Sequence, residues 1–215
     1  MRANPKTTAS PPSRRTRARR GEGEKLREQI LEASARLLLE TGDEDAVSIR
    51  AVAEAVGVTP PSIYLHFEDK NELIFAICDR YFDELDRVTT EAGNGSTDLV
   101  DSLRLRGRAY VRFGLDNPEP YRVLFMRKPD ATPLPFQYEK IMSSPAFAHL
   151  FEAVAAAIAA GRIEGDAMLV SIGLWSAVHG LTSLLISKPD FPWPDVDQLI
   201  DQVTRAALYG VVARH

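Results

Sequence analysis

A short run of polar side chains within residues 48–70 is the part of this 215-residue chain whose residue types and spacing could do chemistry. Ile63 and Phe67 are four residues apart, so on a helix both side chains face inward together. Ser62 and Tyr64 then point to other faces of the same helix. Because exposed hydroxyl groups can hydrogen-bond to phosphates and to the edges of bases, the segment predicts a binding surface rather than a catalytic centre.

Catalytic chemistry finds little support elsewhere in the sequence. The four histidines share no metal-ligand spacing such as His-Glu-x-x-His, and the sequence contains no glycine-rich phosphate loop, no nucleophile elbow and no Cys-x-x-Cys. Cys78 is the only cysteine, which rules out an internal disulfide and fits a reducing cytoplasm. We therefore predict no catalytic residue, no metal site and no cofactor.

Two short helices joined by a tight turn are predicted to position these polar side chains. Ser48 is a good N-cap for the first helix, and Gly57 ends it because glycine enters the left-handed conformation without a steric penalty. Thr59 can cap the second helix, and Pro60 takes its first position, where a missing N–H costs nothing. This is the helix-turn-helix layout, which places its second helix in the major groove of DNA.

The segments SIRAVAEAV and GVTPPSIYLHFEDKNEL resemble the DNA-binding core of the tetracycline-repressor (TetR) family of bacterial regulators. They have, in the same order and spacing, a short alanine-rich helix, a Gly-Val turn, a Tyr-x-His-Phe segment and a lysine opening the next helix. The resemblance covers residues 25–85. It implies a cytoplasmic, homodimeric regulator, a repressor rather than an activator, that binds a palindromic operator on double-stranded DNA. It also implies that a small-molecule effector releases the protein from the operator.

The resemblance also implies roles for individual residues. Arg50 would reach a base edge, for which we expect a guanine, while Tyr64 and Lys70 would hold phosphates. Pro61 stands where the commonest family pattern has glycine, and two consecutive prolines remove backbone donors, which favours contacts with thymine methyl groups. His66 is predicted either to pack or to face a phosphate. The predicted DNA-binding residues are Ser48, Arg50, Thr59, Pro60, Pro61, Ser62, Tyr64, His66 and Lys70.

The charge distribution supports a nucleic-acid partner although the net charge is −4. Residues 1–20 carry seven basic side chains and no acidic one, so the rest of the chain is net acidic. Because residues 1–21 contain almost no large apolar side chain, we predict that they form a disordered basic arm. Such an arm can lie along phosphates or enter the minor groove. The alternative is a solvated tail with no role in binding.

Helical periodicity without alternating strand patterns predicts an all-α fold with two domains. The first is a three-helix DNA-binding domain at residues 22–70, with its helix-turn-helix motif at about 47–66. The second is a larger α-helical ligand-binding and dimerisation domain at residues 71–215. A helix capped by Asp69 or Asn71 joins the two and could transmit movement between them. Other helices are predicted at residues 22–40, 97–115, 118–126, 145–160, 166–186 and 195–213, and residues 127–136 as a loop.

The carboxy-terminal half carries a second, shorter resemblance. Residues 174–181, LWSAVHGL, and residues 117–125 resemble the regulatory domain of a Trp-His-Gly branch of the TetR family. In that family the last two long helices pack against their twins in a four-helix dimer interface. Residues 168–186 are apolar but interrupted by polar side chains, which predicts a buried helix and no membrane span. The stripe of the last helix predicted to face the partner is Val196, Leu199, Ile200, Val203, Ala207 and Val211.

By the same resemblance, an effector pocket lies between the joining helix and the helices after it. The expected ligand is apolar or aromatic, with one polar group facing His179. Aromatic residues at helical spacing also simply fill a core, which is the alternative for each candidate. For the whole chain, the alternatives are a helical adaptor or ligand-binding protein that does not bind DNA, and an enzyme. The candidate pocket residues are Phe82, Tyr110, Phe113, Tyr121, Phe125, Trp175 and His179.

Overall fold

Nine α-helices carry most of the residues that the structure, a computed structural model, describes, which are 21–126 and 144–210. No strand occurs in these two ranges, so the all-α prediction is confirmed. The predicted basic arm, apart from residue 21, and the predicted loop at 127–136 lie outside the described residues. The helices are α1 (Glu22–Thr41), α2 (Ile49–Val56), α3 (Pro60–Ile63), α4 (Lys70–Gly93), α5 (Leu99–Asp116), α6 (Pro118–Tyr121), α7 (Pro145–Ala159), α8 (Ala167–Ser187) and α9 (Val196–Tyr209).

Aspartate side chains begin four of the long helices. Asp69 accepts a hydrogen bond from the backbone N–H of Glu72 at 2.8 Å, which decides between the two predicted caps of α4. Asp98, Asp166 and Asp195 cap α5, α8 and α9 in the same way. Each cap satisfies a backbone N–H that has no partner inside the helix and places a negative charge at the positive end of the helix dipole. The chain therefore fixes these helix starts locally.

The first core lies among α1 to α4. Its buried residues form one cluster, and the two predicted inward residues of the helix-turn-helix, Ile63 and Phe67, are almost completely buried in it. Arg27 of α1 lies over the ring of Phe67, with its guanidinium carbon 5.0 Å from the ring centre. The α2–α3 unit is therefore held firmly against α1 and α4. The other members of this cluster are Ile30, Leu31, Leu38, Val47, Val52, Ala53, Leu73, Ile74 and Ile77.

The second and third cores fill the larger helical unit, and α4 connects them with the first. Leu73 of α4 lies in the first core and Leu85 lies in the second, while Tyr81 packs against both. At 24 residues α4 is about 36 Å long, so it spans both regions without a break. The predicted helix at 118–126 is shorter than expected, because α6 ends at Tyr121 and a π-type turn, Arg122–Met126, follows it.

The apolar stripe of α9 contributes to the chain's own core. Ile200 is completely buried in the second core, and Val196, Leu199 and Val203 pack against the same cluster. Ala207 lines a cavity described below, and Val211 lies outside the described residues. Ile200 therefore belongs to the chain's own core, while Val196, Leu199 and Val203 keep part of their surface exposed, and the contact of the stripe with a partner stays a prediction.

Helix α8 instead carries the apolar surface that faces outward. Leu169, Ile172 and Leu184 are 72, 39 and 51% exposed. A Cβ atom added at Gly173 or Gly180 would have no other atom within 4 Å, so both glycines face open space. These positions fall on one side of the helix. Within the described residues, α8 is the one helix that is long and apolar enough to cross a membrane, judged by length and composition alone. Of its most apolar stretch, 39% is buried inside the protein.

Candidate nucleic-acid interface and buried cavity

The turn between α2 and α3 forms as the residue types predict. The Ser48 hydroxyl accepts a hydrogen bond from the N–H of Ala51 at 3.2 Å, and Gly57 has φ 76°, in the left-handed region. The N–H of Val58 donates to the carbonyl of Ala53 at 2.9 Å, which closes the end of α2. The first helix of the motif is thus fixed at both ends by its own sequence.

Thr59 does not cap α3 with its side chain, contrary to the prediction. Its hydroxyl lies 3.1 Å from the hydroxyl of Ser62, and no cap hydrogen bond forms. Pro60 occupies the first helical position as expected. Two of the four residues of α3 are prolines, which have no backbone N–H to donate. The hydroxyls of Thr59 and Ser62 therefore supply polar groups at the start of this helix.

The leading edge of the helix-turn-helix is exposed. Arg50, Pro60 and Pro61 are all in the exposed class, and the Tyr64 side chain is 55% exposed. Leu65 is 81% exposed, the highest fraction among the exposed large apolar residues of the described chain. The sequence analysis missed Leu65, although its place beside Tyr64 and opposite the inward pair was a usable signal. The surface offers one guanidinium, one phenol and several apolar groups.

Three other predicted DNA-binding residues have neighbours within the chain. The Nζ of Lys70 lies 3.0 Å from Oδ1 of Asp45, in an exposed ion pair. His66 is half-buried, and its ring lies near Gly23 of α1. Ser48 uses its oxygen as a cap, which leaves its hydroxyl hydrogen free to donate. No observation tests the predicted DNA contacts of these residues.

A cavity of about 80 Å³ lies inside the larger helical unit, between α4, α5, α7, α8 and α9. Four of the seven predicted pocket residues line it: Phe82, Tyr110, Phe125 and Trp175. Most of the remaining wall is apolar, with hydroxyl groups from threonine and serine and one charged side chain. The other lining residues are Leu85, Thr89, Leu103, Arg106, Gly107, Ser144, Ala146, Phe147, Leu150, Leu174, Val178, Thr204, Ala207 and Leu208.

A buried polar cluster lies next to the cavity and contains two of the three predicted residues that are absent from the wall. The hydroxyl of Tyr121 is 2.6 Å from Nδ1 of His179, and the hydroxyl of Tyr110 is 3.3 Å from the same nitrogen. The indole N–H of Trp175 donates to the Tyr110 hydroxyl at 3.2 Å. Phe113, the third predicted residue, is buried in the second core. His179, which was expected to face a polar group of the ligand, instead has tyrosine hydroxyls beside its Nδ1.

Burial sets the protonation of this cluster. It raises the pKa of Tyr110 and of Tyr121, so both phenols keep their protons. It lowers the pKa of His179, which favours the neutral imidazole. The Oγ of Ser183 lies 3.4 Å from Nε2 of the same ring, so both ring nitrogens have a hydroxyl neighbour. The cluster holds Tyr110 and Trp175 in fixed positions at the cavity wall.

Arg106 is the charged residue of the wall, and the sequence analysis did not select it. It lies three residues after Leu103 and four before Tyr110, so helical spacing places it on the side of α5 that faces the cavity. Its Nη1 donates to the Thr90 hydroxyl at 3.2 Å, while its buried Nε has no hydrogen-bond partner. Burial lowers the pKa of Arg106, and Asp86 acts in the opposite direction.

An exposed helix-turn-helix edge on a small core, joined by one helix to a second core with a cavity, defines a DNA-binding regulator of transcription. A model of the tetR family of bacterial regulatory proteins matches residues 30–77. A model described as the tetracyclin repressor-like C-terminal domain matches residues 103–207. The chain belongs to the TetR family of transcriptional regulators, which is a family of DNA-binding proteins and not of enzymes. The Trp-His-Gly branch stays a prediction.

Known proteins with similar sequences and folds agree with this assignment. The chain is 30% identical over 99 residues to the HTH-type transcriptional activator FasR of Mycolicibacterium smegmatis, a match that spans 46% of this chain and 45% of FasR. The fold is similar to that of a TetR family transcription regulator from Marinobacter aquaeolei VT8, with TM-score 0.68, 24% identity and coverage of 90% of this chain and 98% of that one. The fold is also similar to that of the fatty acid degradation regulator FadR from Bacillus halodurans, with TM-score 0.70, 18% identity and coverage of 85% of this chain and 98% of that one.

Proposed function

We propose that this chain is a cytoplasmic, homodimeric repressor that binds a palindromic operator through α2 and α3 and leaves it when a small molecule fills the cavity. The observation that carries the proposal is the exposed edge around Arg50 and Tyr64, held by the buried pair Ile63 and Phe67. One short helix contacts only a few base pairs, so two copies one helical turn apart are needed for a specific site.

The contacts proposed at the operator follow from what each side chain offers. Arg50 has an exposed guanidinium suited to the two acceptors of guanine. Thr59 and Ser62 offer a hydroxyl pair, and Pro60 and Pro61 offer apolar surface to thymine methyl groups. The phosphate contacts are assigned to side chains outside α3: Ser48 caps α2, Tyr64 and His66 follow α3, and Lys70 begins α4.

The proposed dimer forms through the outward face of α8. Leu169, Ile172 and Leu184 would lose water contact on pairing, at a gain of about 25 cal/mol per Å² of apolar surface buried. The open sides of Gly173 and Gly180 allow a second helix to approach closely. A two-fold arrangement brings the same face from both copies together, which is the commonest form of homo-oligomer.

The proposed division of labour gives residues 22–70 the DNA contacts and residues 71–215 the ligand and the dimer. Phe82 and Leu85 of α4 line the cavity, whereas Leu73 and Ile77 of the same helix lie under the helix-turn-helix. A ligand that favours a different position of α4 would change the distance between the two copies of α3. Such a ligand must bind that position better than the DNA-bound one, by about 1.4 kcal/mol for each tenfold loss of operator affinity.

The test begins with the duplexes that the full chain selects from a random pool. We expect a palindromic sequence bound by a dimer. For each tenfold rise in salt concentration, the logarithm of the association constant should fall by about 0.9 per phosphate contacted. A helical adaptor would select no duplex. A promoter assay with that operator then distinguishes repression from activation. FasR is named as an activator, and activation by this chain would contradict the proposed repression.

A further inference from the structure

Arg106 places a positive charge in the wall of a mostly apolar cavity. Within the described part of the chain its one hydrogen bond is to the neutral hydroxyl of Thr90, and it has no ion pair within 4.0 Å. Its Nε is buried without a partner. Arg106 is half-buried, and partial removal of a guanidinium from water is unfavourable unless an anion compensates it, so this group is under-paired among the described residues.

The three other arginines of α5 all have carboxylate partners. Arg104, Arg108 and Arg112 all form ion pairs with aspartates of α9, Asp197 and Asp201. These pairs fasten α5 to α9 on the outer side of the bundle. Arg106 lies between them in sequence but on the cavity side, so it is the arginine of α5 that has no carboxylate partner.

The nearest acidic influence on Arg106 comes from Asp86, which is already engaged. Oδ1 of Asp86 lies 2.7 Å from Nδ1 of His149 and 3.4 Å from the Thr90 hydroxyl. Gly93 lets the arginine lie close to α4, because a Cβ at this position would be 2.4 Å from the Arg106 Nε. The side chain is thus held between α4 and α5 with donor capacity left over.

We propose that the cavity binds an organic acid whose carboxylate pairs with Arg106 and whose aliphatic body packs against Phe82, Phe147 and Trp175. This inference rests on the proposed function, because it names the chemical class of the effector. A carboxylate can accept two parallel N–H bonds from a guanidinium, and the Nη groups of Arg106 carry donors beyond the one that bonds to Thr90. At about 80 Å³ the cavity suits a short alkyl chain as it stands.

The experiment is calorimetric titration of the full-length protein, without DNA, with butanoate, hexanoate and octanoate and with the alcohols of equal length. We expect at least one acid to bind, and to bind roughly tenfold or more tightly than its alcohol, because the alcohol cannot form the charged pair. Acetate supplies the charge without the body and should bind weakly. Equal affinity of acid and alcohol, or no binding by any acid, would overturn the proposal.

Two substitutions test whether the carboxylate of the ligand binds at Arg106. R106Q should weaken acid binding roughly tenfold or more and leave alcohol binding unchanged, whereas R108Q, on the same helix but facing α9, should change neither. If R106Q does not fold, G93A moves the guanidinium without removing it and should also weaken the acid selectively. An unchanged acid affinity in R106Q or G93A contradicts the assignment. Because these titrations contain no DNA, they separate failure of ligand binding from failure of DNA release.

Discussion

Arg50 lies exposed at the start of α2, so its loss should affect DNA binding without affecting the fold. We expect R50A to reduce affinity for the selected operator by about 1–3 kcal/mol and to relax the preference at one base pair. The measurement is fluorescence anisotropy on the operator and on its single-base variants. R36A removes another exposed arginine, on α1, and is the matched control. Equal losses in both variants would show that Arg50 contributes only general charge.

His179 should make stability depend on pH in a defined direction. Burial lowers the pKa of His179 in the folded protein, so below its ordinary pKa of about 6.5 the unfolded chain binds the proton more readily. Stability is therefore complete above that pH and is lost as pH falls through it. Urea denaturation between pH 5 and 8 should show a steeper decline for the wild type than for H179N. Parallel curves would mean that the imidazole does not titrate as inferred.

The sequence predicted the residues of the site better than their roles. Phe82, Tyr110 and Trp175 were found because the family resemblance places the pocket beside the joining helix, and aromatic side chains at helical spacing predict an inward side. That spacing does not distinguish a cavity wall from the layer behind it, and so His179 was placed in contact with the ligand. Arg106 had a usable signal, its spacing from Leu103 and Tyr110, but the pocket candidates were aromatic residues and one histidine.

At the level of elements, α5 and α8 approach closely at Gly114. A Cβ there would lie 2.3 Å from Cγ2 of Thr182 and 3.0 Å from the ring of Tyr121. We expect G114A to lower the free energy of unfolding by about 1–3 kcal/mol, more than the gain of up to about 1 kcal/mol from helix propensity. Thermal and urea denaturation measure this loss.

A second substitution tests the cause of that loss. T182S removes the clashing methyl group and keeps the hydroxyl that donates to the Val178 carbonyl at 2.7 Å. The double variant G114A/T182S should therefore recover much of the stability that G114A loses, relative to T182S alone. Additive losses would place the strain elsewhere.

The ends of helices were predictable and their partners were not. Caps such as Ser48 and breakers such as Gly57 act within a few residues, so the sequence alone locates them. The apolar stripe of α9 was equally visible, but whether it faces the chain's own core or a second chain depends on how α5 and α8 pack. Ile200 is completely buried in the chain's own core, whereas the half-buried residues of the stripe keep surface that a second chain could contact.

At the scale of the whole molecule, the outward face of α8 predicts the oligomeric state. L184K puts a charge into the proposed interface, so we expect a monomer in sedimentation velocity and weaker operator binding by about tenfold or more. L39K is the matched control, because Leu39 is similarly exposed but lies on α1. A dimer of undiminished stability in L184K would remove α8 from the interface.

The unbroken course of α4 through two cores ties their stabilities together. If either core opens, apolar side chains of α4 such as Leu73 or Leu85 enter water, so the two regions share one cooperative unfolding unit. A compound that lodges beside Phe82 thus protects the distant α2–α3 segment from proteases as well, whatever it does to DNA affinity. Resistance of that segment to cleavage is a report on cavity occupancy.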